Sequence, residues 1–98
     1  MLGNVQREQL KKCAGWASSD NVVLHVVIGR WMQYTREAGT GFPISVVMYY
    51  VDVDPPERDL SSSIARCQHD HTAIEKAQEI ARHLVSLGVS REQIFIKK

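Results

Sequence analysis

The chain has 98 residues with a formal net charge of +1, 44% hydrophobic residues and 23% charged ones. These values describe one folded domain of ordinary composition and exclude a disordered tail, a collagen-like repeat and a disulfide-dense scaffold. Residues 1–49 hold five basic and three acidic side chains, residues 50–98 seven and eight, and no basic block is present. Nothing is therefore built to neutralise a run of phosphates, and no nucleic-acid partner is expected.

The first stretch, Asn4 to Trp16, reads as an amphipathic helix with Val5, Leu10, Cys13, Ala14 and Trp16 inward, and Ser18-Ser19-Asp20-Asn21 breaks the pattern. Gln6, Arg7, Glu8, Lys11 and Lys12 leave no apolar run at this end that could serve as a signal peptide. The chain is then either intracellular or a domain of a longer exported protein. Val22 to Ile28 carries two signals. Five β-branched residues among seven favour a strand. The cap-like Ser19-Asp20, with Leu24, Val27, Trp31 and Tyr34 at helical spacing, favours a helix. The reading taken is a strand that continues through Trp31–Thr35, with the helix as the alternative.

Gly39-Thr40-Gly41-Phe42-Pro43 is a loop, as is Asp54-Pro55-Pro56-Glu57. Between them, residues 44–53 are β-branched, aromatic and apolar at consecutive positions, which predicts a central strand buried on both faces. Ile64, Cys67, His71, Ile74, Ala77, Ala81 and Leu84 then follow at spacings of three and four. They predict one helix from about Ser62 to Leu87, opened by a serine cap and closed by Gly88 in a left-handed conformation. His69, Asp70 and Thr72 propagate a helix poorly, so a break would fall there. After a short turn, Ile94-Phe95-Ile96 is the last strand, expected to lie parallel to strand 44–53 in a right-handed βαβ unit. The fold predicted is α+β: a two-layer sandwich with a small mixed sheet of three or four strands, one long helix and an N-terminal helix. Its core is expected to gather Val46, Met48, Ile74, Ala77, Ala81, Leu84 and Ile94.

The stretch Ser45–Asp52 resembles the central strand of the OmpA-like peptidoglycan-binding domain. Residues 73–94, AIEKAQEIARHLVSLGVSREQI, resemble that family's second helix and exit, on Lys76-Ala77, Ile80, Leu84, Gly88-Val89 and Ile94. The likeness covers about residues 45–96. It implies a cell-envelope binding module in which Asp52 holds the ammonium of a peptidoglycan stem amino acid and Lys76 its carboxylate, with His69 where the family has an asparagine. Lysine stands for an arginine, so the bidentate fork is lost. Tyr50 replaces a glycine, the loop from Asp52 to Lys76 is about nine residues longer than the family's, and residues 1–44 show no counterpart of the family's first half.

Other constellations carry less. On a helix, Cys67, His71 and Glu75 would stand one turn apart, a spacing that suits zinc. Cys67 and His71 also lie on the apolar stripe and no second cluster completes the set, so no metal or other cofactor is expected. Asp52, Asp54, Glu57 and Asp59 form an acidic loop without calcium-loop spacing. No nucleophile elbow, phosphate-binding glycine loop or GxGxxG occurs, and no enzymatic activity is expected. Trp16, Trp31, Tyr34, Phe42, Tyr49 and Tyr50 are many aromatics for a small core. Exposed ones would mark a protein partner, and a sheet this small leaves edges that favour a homodimer. Without the envelope ligand, the alternative reading is an intracellular protein-interaction or inhibitor protein that dimerises through its sheet, and behind it a small metal-dependent enzyme using Cys67, His69 and His71. No apolar run is long enough to span a membrane.

Overall fold

The computed structural model describes residues 2–54 and 64–98. The elements run α1 (Asn4–Asp20), β1 (Leu24–Arg36), β2 (Pro43–Asp54), β3 (Ala65–Cys67), α2 (Asp70–Ser86), a 3-10 turn (Arg91–Gln93) and β4 (Ile94–Lys97). The fold is the expected α+β sandwich with a four-stranded mixed sheet, in the order β3-β2-β1-β4.

Leu10, Cys13, Ala14 and Ala17 bury one stripe of α1. The helix runs past the serines to Asp20 and stops at Asn21, which adopts the left-handed conformation at φ 53°. Val5 does not join the core and is exposed. It sits five residues before Leu10, about 140° round the helix from the buried stripe. The Gln6 side chain ties the start of α1 to the rest. Its Oε1 accepts from the Gly3 N–H at 2.8 Å, and its Nε2 donates to the Ile64 carbonyl at 2.6 Å.

Residues 24–36 form one unbroken strand, paired antiparallel with β2 from His25↔Asp54 to Arg36↔Pro43. β4 lies parallel to β1, with Leu24 opposite Ile94. This corrects the expected parallel βαβ unit of β4 with residues 44–53: β1 lies between the two strands, and β4 runs antiparallel to β2. β2 has no free flank beside the core, because its hairpin partner β1 occupies one side and β3 the other. Both edge strands run parallel to β1, so α2 carries the chain from one edge of the sheet to the other.

The predicted helix start is also corrected. Residues 55–63, which include the serine cap and the acidic residues Glu57 and Asp59, lie outside the described residues. Ala65–Cys67 is a strand, and α2 begins at Asp70 with His69 as N-cap in extended conformation. The poor helix formers mark the true boundary.

Alternation along the strands decides what is buried. Leu24, Val26 and Ile28 of β1, Val51 and Val53 of β2, and Ala65 and Cys67 of β3 point to one face. There they join the α1 stripe and Ala73, Ala77, Ile80 and Leu84 of α2 in a single core. Ile74 and Ile94 pack against it, but contrary to expectation Val46 is exposed, and Met48 and Ala81 are only partly covered and lie outside the core. Val46 and Met48 are even-numbered residues of β2 and point to the opposite face. β2 is therefore apolar on two sides for different reasons, and both helices cover the same one.

Gly88 closes α2 as predicted. Its φ is +100°, the Val89 N–H donates to the Leu84 carbonyl and the Gly88 N–H to that of Val85, the two bonds of a Schellman motif, with Val89 buried behind them. Space is open where a Cβ would go, so Gly88→Ala meets only the backbone penalty. That variant is expected to lose about 1 kcal/mol in a urea titration.

Candidate functional site

β4 ends at Lys97 and β3 pairs only with Tyr49–Val51, so among the described residues the hairpin β1–β2 continues alone beyond them. The unaccompanied part, about Arg30–Arg36 with Pro43–Met48, extends for about 20 Å at strand spacing. It gives the molecule a long axis of 53 Å against 25 and 20 Å. We refer to it as the arm. Its tip is tight: the Glu37 N–H donates to the Phe42 carbonyl at 2.8 Å, and the Gly41 N–H donates to that of Glu37 at 2.9 Å. Arg36 braces the tip through Nη1 to the Gly41 carbonyl at 2.9 Å.

Apolar side chains line both sides of the arm. Met32, Tyr34 and Val47 continue the core-facing side past the helices, where nothing described covers them. Ile44 and Val46 stand on the other side and Phe42 at the tip. Tyr34 is 81% exposed and Phe42 67%. A two-stranded ribbon is marginal by itself, and charged residues are the usual protection of its edges. Residues 42–51 carry no charge at all.

Nearer the body, the sheet face that neither helix covers holds an aromatic group. Tyr50 pairs with Gly29 and its ring lies over that glycine, filling the place a Cβ would take. The Trp31 ring stands 6.0 Å from that of Tyr50, and the Arg66 guanidinium lies 5.8 Å from the Trp31 ring centre. Together with Gln33 they line a shallow pocket of about 440 Å³. On the same face His25 meets Phe95 edge-on at 6.0 Å.

The residues singled out for ligand binding are spread through the fold. Asp52 stands opposite Val27 on the face away from both helices, partly buried, with Oδ1 accepting from the Val53 N–H at 2.9 Å. Lys76 belongs to α2, on the other side of the sheet, and its Nζ lies 3.3 Å from Glu79 Oε2. His69 caps α2 and stacks on His71, with ring centres 5.5 Å apart. The sheet thus separates Asp52 from Lys76. Of the zinc candidates, Cys67 is on β3 while His71 and Glu75 are on α2, so the helical spacing does not exist. Among the described residues no group of three His, Cys, Asp or Glu is placed to hold a metal ion. No helix among them is long and apolar enough to cross a membrane.

Burial raises the Cys67 thiol above its ordinary value, partly offset by the charge of Lys76. Burial likewise raises the Asp52 carboxyl, against the lowering effect of the Val53 N–H and with a further rise from Asp54. A carboxyl whose value is raised on folding binds more protons folded than unfolded, so stability falls as pH rises through the interval between the two values. Asp52→Asn is therefore expected to be more stable than the parent at neutral pH, the gap shrinking as pH drops through the carboxylate range. Urea titrations at a series of pH values measure it.

The sequence singles out Trp16, Trp31, Tyr34, Phe42, Tyr49 and Tyr50 as a group with some members exposed; of these, Trp16 and Tyr49 pack against the core. It carries no signal for Arg66 and Gln33, whose place depends on which strands are neighbours. Comparison with protein-family models, curated proteins and solved structures finds no match to the chain.

Proposed function

We propose that the protein is a non-enzymatic protein-interaction module that associates through its sheet, with the arm as the interface. The observation that carries this reading is the apolar set Met32, Tyr34, Phe42, Ile44, Val46 and Val47, exposed on a ribbon whose two edges pair with no other strand among the described residues. Apolar surface of this kind is stabilised when a partner removes it from water, and free strand edges supply backbone hydrogen bonds for the contact. A second copy of the chain satisfies both needs. The peptidoglycan reading asks Asp52 and Lys76 to share one small ligand across a sheet, a demand the arm does not make.

Sedimentation velocity over a concentration series tests this. The parent chain is expected to shift toward a dimer as concentration rises, and Val47→Asp to remain monomeric at the same concentrations. A parent chain that stays monomeric up to millimolar concentration overturns the reading.

A further inference from the structure

A second surface lies at the opposite edge of the body, away from the arm. β4 is the last strand of the sheet, and its only described neighbour is β1. Among the described residues, the backbone edge of Ile94–Lys97 facing away from β1 carries no strand, and neither proline nor a bulge interrupts it. α2 runs over this edge strand. Between them is a groove of about 340 Å³ with Ala81, Val85, Ile94 and Ile96 as its apolar lining and Arg82 and Arg91 beside them. Neither guanidinium has a hydrogen-bond or ion-pair partner among the described residues.

An open strand edge beside a helix, with an apolar trough between the two, is the geometry in which extended peptides bind by adding a strand. The backbone edge supplies directional hydrogen bonds, and the trough accepts side chains at alternate positions. Two unpaired guanidinium groups beside an apolar lining add a charge requirement: carboxylates satisfy them with paired hydrogen bonds, and cationic side chains are repelled. We infer that the groove between β4 and α2 is a docking site for an extended acidic peptide segment. The segment pairs with the β4 backbone, places an apolar side chain in the trough, and sets carboxylates against Arg82 and Arg91. This inference does not depend on the arm, and the two surfaces fail separately.

The test uses the full chain and an acetylated, amidated pentapeptide, Glu-Thr-Val-Thr-Glu, followed by backbone amide chemical shifts. Binding at millimolar peptide is expected, with perturbations on Ile94–Lys97 and on the Ala81–Val85 stretch of α2. The lysine analogue, Lys-Thr-Val-Thr-Lys, is expected to leave these signals in place. Arg82→Glu with Arg91→Glu should weaken the acidic peptide about tenfold or more, since each lost charge-assisted contact is a sizeable fraction of so weak a binding energy. Both arginines are exposed, so the double variant keeps its fold. Unmoved β4 signals, equal binding of the lysine peptide, or unchanged affinity in the double variant each overturn the assignment.

Discussion

Replacing Val51 by aspartate is expected to unfold the protein, whereas the same change at Val47 is expected to leave it folded and monomeric. The two valines are four residues apart on β2 and point to the same side of the sheet. Val51 is fully buried, opposite Ile28 and next to Ala65, in a core that holds no buried polar or charged side chain among the described residues. An aspartate there has no partner. Keeping its carboxyl neutral at pH 7 costs about 4 kcal/mol from the ordinary carboxylate value alone. The lost apolar burial adds about 1.5 kcal/mol or more. A domain of this size has about 5–15 kcal/mol to lose, so the native state does not survive, or survives barely. Val47 stands on the arm with much of its surface in water. Aspartate is poor in a strand, but that penalty stays within about 1 kcal/mol. Far-UV circular dichroism with urea titration of both variants decides the matter. If Val47→Asp unfolds as readily as Val51→Asp, the arm belongs to the core and the interface proposed for it is lost.

Leu84→Ala is expected to show the second large effect. Leu84 is fully buried at the end of the α2 stripe, one turn before the Schellman closure, and its carbonyl accepts the Val89 N–H that seals the helix. Alanine preserves that backbone bond and removes only the side chain, so the loss reports packing. Deletion of a fully buried leucine side chain costs about 2–5 kcal/mol, according to how far the surroundings collapse into the space. For about 100 residues this lowers the thermal midpoint by roughly 10–30 °C. Calorimetry of the variant measures it, and a midpoint within a few degrees of the parent's would mean that Leu84 does not hold α2 to the sheet.

The sequence determined the kinds of the longer elements, although β1 carried a helical signal beside its β-branched one and β3 read as helix. Period-three-and-four spacing marks both helices, β-branched runs mark β1 and β2, and Gly88 is where it must be for a left-handed closure. These signals are local, written within one or two turns of chain, and they survive whatever the tertiary arrangement. The fold class followed from them, as did the expectation that some aromatic residues would stand in solvent.

Only the tertiary structure decided which strands are neighbours and which face is covered. A run such as Ser45–Val53, apolar at even and odd positions alike, reads the same whether helices cover both faces or one face simply stays open. That ambiguity put Val46 and Met48 in the expected core and hid the arm. Three residues at 65–67 are too short to show a strand's period of two against the helical spacing around them, so Cys67 read as helical beside His71 and Glu75. The separation of Asp52 from Lys76 has the same origin. Spacing along a chain fixes relative position within one element, but the side of a sheet on which a helix settles is set by burying the largest apolar area. Here that requirement placed α1 and α2 together over Leu24, Val26, Ile28, Val51 and Val53, leaving Asp52, Trp31 and Tyr50 on the face the helices do not reach.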